Sequence, residues 1–170
     1  MADASQYPGT PVRAGIVDVL VLAPSSESDV ANDVGPWRVL TLRRAVGTRC
    51  TGAWEIVHGR IKHGERPDVA AIREVLEETG LAVDRLYSIT VNPFYLVSTD
   101  SVEMAIVFAA VVLPGAKPSL ADEHDAWQWL APDEASALLA WPRERDALDQ
   151  AMSLLANGDA GPVDDVLRVR

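Results

Sequence analysis

The sequence predicts a mixed α/β (α+β) domain in which one mixed β-sheet lies between helices. Three observations carry this. Runs rich in β-branched residues recur from Ala14 to Leu130. Helix-patterned segments interrupt them after Arg66 and close the chain after Leu130. Two long strand-like runs, Tyr87 to Ser98 and Ser101 to Leu113, follow each other across a short polar turn, the order of a hairpin. With 170 residues, 48% of them hydrophobic, the chain suffices for one domain with a substantial core.

The elements read in order as follows. Ala14 to Pro24 is a buried strand, and the polar run Ser25 to Pro36 a loop. Trp37 to Val46 alternates Val39, Thr41 and Arg43 against Leu40 and Leu42, a strand pattern. Gly47 to Gly52 is a loop and Ala53 to Gly59 a short strand. Pro67 suits the first position of a helix and Gly80 the position just past its end, so a helix is expected over Pro67 to Thr79. After the hairpin comes a Pro/Gly loop, Pro114 to Asp125, and a short strand, Ala126 to Leu130. Ala131 to Gly158 is helical and breaks at Trp141-Pro142, because proline cannot continue a helix interior. Residues 1–12 read as a flexible arm, 13–157 as the domain and 158–170 as a tail of open conformation.

Composition narrows the function. Cys50 is the only cysteine, so neither an internal disulfide nor a thiolate zinc site can form. The net charge of −10 argues against a nucleic-acid polymer as partner, which needs a basic footprint. A small phosphorylated ligand remains compatible, because a bound divalent cation reverses the local field. No apolar run reaches the roughly 18 residues of a membrane span, and the N-terminal stretch has no apolar signal core. The expectation is a cytoplasmic protein without a membrane partner.

The helix Pro67 to Thr79 poses the sharpest question. With Glu74 at 0° and about 100° per residue, Glu77 falls near −60° and Glu78 near +40°, while Ile72, Leu76 and Val69 fall near 160–220°. This reads as an apolar stripe opposite a narrow acidic one. A solvated acidic face is one reading. Against it, Arg73 is the only base in the helix, and like charges at this spacing cost about 0.2–0.5 kcal/mol per pair. The acids also crowd the C-terminal half, where the helix dipole disfavours anions. A hard divalent cation, Mg²⁺ or Mn²⁺, would offset both.

The segment resembles the Nudix box, G-x5-E-x7-R-E-U-x-E-E-x-G-U with U aliphatic. Gly59, Glu65, Arg73, Glu74, Val75, Glu77, Glu78, Gly80 and Leu81 fill it with every spacing met. The resemblance implies the Nudix fold, and a loop–helix–loop that binds divalent metal and hydrolyses a nucleoside diphosphate linked to another group. It implies Glu74 and Glu78 as metal ligands, Glu77 as a ligand directly or through water, and the Gly59 carbonyl as a contributor. Arg73 would hold the glutamates by salt bridges, and Glu65 and Gly80 would shape the loop and the helix end. Candidates for the general base are Glu77, Glu74 and Glu123. One departure is that Val57-His58 precedes Gly59 where many members have Pro-Gly. His58 and His63 are expected to be structural or surface residues, since an all-oxygen site needs no imidazole.

Outside the box, Glu123 to Leu130 resembles the segment E-H-x-A-[YW]-x-W-L of the dihydroneopterin triphosphate and nucleoside triphosphate branch, in which the glutamate faces the metals. Of Trp127 and Trp129, at least one is expected in the core. Arg43 and Arg44 end a strand on opposite faces, so one of them could meet a substrate phosphate, with a solvated arginine as the equal alternative. Phe94 and Tyr95 could sandwich a base, although core packing is the first expectation, and Tyr95 is kept as a substrate-binding candidate. Glu103 is expected at an edge or in solvent. The combined expectation is a Mg²⁺-dependent pyrophosphohydrolase, Mn²⁺ being compatible, that acts on a nucleoside or pterin triphosphate. Dinucleoside polyphosphates and nucleotide sugars stay open as substrates, as does a nucleotide-sensing domain without catalysis. The final helices offer a surface for a homodimer.

Overall fold

The computed structural model describes residues 9–26 and 35–170. Most of the expected arm, residues 1–8, and the middle of the first loop, residues 27–34, lie outside the described residues. The strands are β1 (Val12–Pro24), β2 (Trp37–Arg44), β3 (Trp54–Glu55), β4 (Val57–Arg60), β5 (Arg85–Leu96), β6 (Ser101–Val111) and β7 (His124–Leu130). The α-helices are α1 (Pro67–Thr79), α2 (Pro132–Leu138), α3 (Pro142–Leu154) and α4 (Asp164–Leu167).

All seven strands form one mixed sheet with the backbone order β3-β2-β1-β6-β5. β1 and β6 are parallel over most of their length, and the other pairs are antiparallel. β1 is shared along one edge: its C-terminal end pairs with β2 and its middle with β4. β7 adds to β2. Alternating side chains divide the core into two layers, as the pleat requires. Val17, Val19 and Val21 pack with Ala70, Ala71 and Val75 of α1. Leu20 and Leu22 pack with Leu139, just past α2, and with Ala147, Leu148 and Ala151 of α3. The expected sheet between helices is what forms.

Two local readings change. The expected single strand Ala53 to Gly59 is two pieces, because β3 pairs with β2 and β4 with β1. Ile56, between them, is buried, and the Glu144 side chain accepts its N–H at 3.2 Å. The second change concerns α1, whose ends are as expected, with Pro67 in the first turn and Gly80 as a left-handed cap at φ 67°. Its buried face is not the expected apolar stripe. Leu76 and Val69 are 55% and 49% exposed, while Ala70, Ala71, Val75 and Glu78 are buried. The sheet-facing side is thus rotated by roughly 140° from the stripe that hydropathy suggests. Small alanines let the helix lie close on the sheet, and this buries Glu78 and half-buries Glu74 while Glu77 stays exposed.

At the other end, the tail forms a 3₁₀ turn (Gly161–Val163) and α4. Its last residues bond to the edge of β5 through Val169 N–H to Leu86 C=O (2.8 Å) and Leu86 N–H to Arg170 C=O (3.0 Å). No described helix is long and apolar enough to cross a membrane.

Candidate active site

β4 and α1 meet edge-on and build the first half of the site. Gly59 leaves no room for a side chain, since a Cβ there would lie 2.0 Å from the Glu74 carboxyl carbon. Glu74 therefore rests directly on the β4 backbone. Arg73 organises the surrounding acids. Its Nε and Nη2 each donate to Glu65 at 2.8 Å, and Nη1 donates to Glu74 (2.7 Å) and Glu77 (3.0 Å). The second Nη2 proton goes to the Arg60 carbonyl at 2.9 Å. All five guanidinium donors are used. The bonds from Arg73 hold the Glu65 carboxyl down at about 2.

Glu74, Glu77, Glu78 and Glu123 line a cleft of about 360 Å³ together with His58 and Gly59. Glu78 is its buried member. Burial first, then the charges of Glu74, Glu123 and Glu55, push its carboxyl up to about 9. Its Oε2 is buried without a hydrogen-bond partner. Among the described residues, no three acidic, histidine or cysteine side chains already converge on a common metal position. Glu74 and Glu77 are instead drawn onto Arg73. The donor set nevertheless fits a hard divalent cation: a cluster of carboxylates, one of them buried with an orphaned oxygen, is what Mg²⁺ or Mn²⁺ satisfies.

Glu123 reaches this cleft from the start of β7, where Arg44 Nη1 holds it at 2.8 Å. Arg44 also lies 3.4 Å from Glu55 and donates to the Arg49 carbonyl. Arg43 points the other way, to Asp125 at 2.7 Å. Of the two, Arg44 is the one at the site.

A second cleft of about 440 Å³ adjoins the first and shares His58 and Arg60 with it. Arg44, Arg49, Arg143, Phe94, Tyr95 and Trp141 are among its walls. Here the expectation for Phe94 and Tyr95 is corrected. β5 is an edge strand, and this end of it faces the cleft rather than a helix, so Phe94 is half-buried and Tyr95 is exposed. The Arg143 guanidinium lies 4.6 Å from the Phe94 ring centre and 5.4 Å from that of Trp141.

Several residues that bear on the site carried no expectation. Asp18, only 1% exposed, accepts from His58 Nδ1 (2.5 Å) and Arg143 Nε (2.9 Å). Burial pushes its carboxyl up, but the bond from His58 and the charges of His58 and Arg143 outweigh this and hold it below 3.8. A lone acid inside the apolar run Ile16 to Leu22 was the available signal. Glu55 and His124 form another buried pair at 3.1 Å. His58 lines both clefts and is one arm of the Asp18 junction. Glu103 is buried rather than exposed, because β6 lies inside the sheet and Ser101 donates to its carboxylate at 2.7 Å. Trp129 packs in the α1 layer and donates to the Ala116 carbonyl, while Trp127 is 37% exposed.

A mixed sheet carrying an arginine-organised acidic helix against a strand-borne glycine defines a class, and the comparisons agree. The family model described as the NUDIX domain matches residues 28–151, most of the chain, and the chain belongs to that family. It is 35% identical to a MutT-like protein of Streptomyces ambofaciens, over 67% of this chain and 70% of that protein. It is 31% identical to the oxidized purine nucleoside triphosphate hydrolase of Mus musculus, over 54% of this chain and 57% of that protein. The fold is similar to that of the E. coli dihydroneopterin triphosphate pyrophosphohydrolase, with a TM-score of 0.59 at 24% identity, covering 84% of this chain and 97% of that one. The chain also matches an octanoyltransferase of Myxococcus xanthus at 34% identity, but spans only 32% of that protein's length.

Proposed function

We propose that the chain is a divalent-cation-dependent pyrophosphohydrolase that cleaves a triphosphate carrying a planar heteroaromatic group, a nucleoside or pterin triphosphate. One observation carries the reading: two adjoining clefts of opposite character share a wall. The acidic cleft holds four glutamates, and the neighbouring one brings together arginines and aromatic rings in a protein of net charge −10. A ligand that is anionic at one end and planar at the other fits across the shared wall of His58 and Arg60. The mouse relative and the E. coli fold neighbour are both triphosphate hydrolases, which supports the same substrate class.

The geometry supports the following roles. Glu74, Glu77 and Glu78, with the Gly59 backbone, would hold Mg²⁺ or Mn²⁺. When bound, the cation neutralises phosphate charge and acidifies a water. Arg73 aligns Glu74 and Glu77, and Glu65 fixes Arg73 from behind. Glu123 stands on a separate element opposite α1 and accepts the proton of the attacking water. Water adds to phosphorus, the bridging P–O bond breaks, and pyrophosphate leaves. Arg44 orients Glu123 and, with Arg143, Phe94, Tyr95 and Trp141, faces the part of the substrate that stays behind. Arg43, held on Asp125, takes no part.

The test is pyrophosphate release from a panel of nucleoside triphosphates, dihydroneopterin triphosphate, dinucleoside polyphosphates and nucleotide sugars. Each is run with Mg²⁺, with EDTA and with Glu78→Gln. Metal-dependent release from a triphosphate, lost in the variant, supports the reading. Metal-independent binding without turnover would replace it with a nucleotide sensor.

A further inference from the structure

Behind the acidic cleft lies a buried polar chain that the proposed chemistry does not use. The His124 side chain is 1% exposed at the first position of β7. Its Nε2 lies 3.1 Å from Glu55 Oε1, and Glu55 also receives Arg44 Nη1 and Trp141 Nε1, each at 3.4 Å. The opposite ring nitrogen, Nδ1, faces Glu78 Oε2 at 3.8 Å. Both of these atoms are buried and neither has a hydrogen-bond partner. Two orphaned polar atoms facing each other across a buried gap are costly as they stand. The gap is too long for a hydrogen bond, and a movement of about 1 Å closes it. Glu78 has other acids for neighbours, Glu74, Glu55 and Glu123. Its inner oxygen therefore needs a donor whenever the carboxylate serves a cation.

We propose that His124 is a positioning residue for Glu78: with a proton on each ring nitrogen, it donates Nε2–H to Glu55 as its anchor and Nδ1–H to Glu78 Oε2, and so fixes the carboxylate at the wall of the acidic cleft. The inference rests on reading that cleft as a cation site. Partners of this kind, one bond behind a metal-binding carboxylate, typically contribute 10–100-fold to metal affinity. The chain of contacts also reaches the second cleft, since Arg44 and Trp141 both line it.

The experiment is Mn²⁺ titration of the full chain followed by electron paramagnetic resonance, on wild type, His124→Phe, His124→Asn and His124→Gln. Unfolding in EDTA is recorded alongside as a check of folding. Asn keeps a polar group at the Nδ1 position toward Glu78, whereas Gln places one at the Nε2 position toward Glu55. The expected result is a 10–100-fold loss of Mn²⁺ affinity in Phe and Gln, with Asn restoring most of it. A merely structural histidine would not separate Asn from Gln in metal affinity. If Phe fails to fold, the Asn and Gln variants decide alone. Equal affinities in Asn and Gln overturn the positioning role while leaving the cation site standing. Absence of Mn²⁺ binding in the wild type overturns both.

Discussion

Replacing Arg73 by lysine tests how the acidic helix is held together. The guanidinium makes five hydrogen bonds, four of them to carboxylates on Glu65, Glu74 and Glu77. Lysine keeps the charge but has three donors and no planar fork, so at least two bonds are lost, and the paired contact with Glu65 cannot be reproduced. A hydrogen bond to a charged group contributes about 1.5–3 kcal/mol. The contact to Glu77 is discounted, because that side chain is 52% exposed and screened. The expected loss is then about 3 kcal/mol, or roughly 6–12 °C in Tm for a domain of this size. Thermal unfolding in EDTA, with the charge-preserving variant beside wild type, measures it directly. A Tm within about 2 °C of wild type would refute the argument that hydrogen-bond geometry, rather than charge alone, organises the acids.

Other outcomes follow from the same contacts. Gly59→Ala should displace Glu74, whose carboxyl carbon lies 2.0 Å from the new Cβ, and should weaken Mn²⁺ binding and turnover together; unchanged titration curves would show that Glu74 has room. Glu78→Gln should abolish turnover yet raise Tm in EDTA at pH 7–8, because it removes the cost of holding a proton on a buried acid that is ionised in the unfolded chain. Metal-free wild type should lose stability as pH rises from 4.5 toward about 9. The folded state retains a proton on Glu78 over that window and the unfolded state does not. Glu144, raised by its burial and by Asp18, adds to the same slope. Tm against pH, with and without Mg²⁺, should show the metal flattening the Glu78 contribution. Asp18→Asn should cost about 3–5 kcal/mol by stranding Arg143 and His58, read as a fall in the denaturation midpoint.

Local signals made much of this molecule legible. Pro67 and Gly80 bracket α1 because their backbone preferences are strong enough to survive any tertiary context. Trp141-Pro142 divides α2 from α3 for the same reason. The box residues meet around Arg73 because their spacing along one helix already brings them together. What hydropathy misread was orientation. Leu76 and Val69 look like core residues, but the close approach of α1 over Gly59 selects the alanine face, and only the packed sheet shows how close that approach is. The roles of Asp18, Glu55 and His124 depend on partners 40 to 125 residues away, pairings that no local pattern carries. Glu103 reads as an edge residue until the parallel pairing of β1 with β6 puts its strand inside the sheet.

The saturation of Arg73 makes it a zero-sum hub. With every N–H committed, it can take on nothing new without letting something go. Any ligand oxygen that approaches it competes with Glu74, Glu77, Glu65 or the Arg60 carbonyl. Any force that pulls Glu74 or Glu77 toward the cleft frees a donor on Arg73 at the same moment. Occupancy of the cleft and the reach of that arginine are thus tied together by valence, with no moving domain or hinge required.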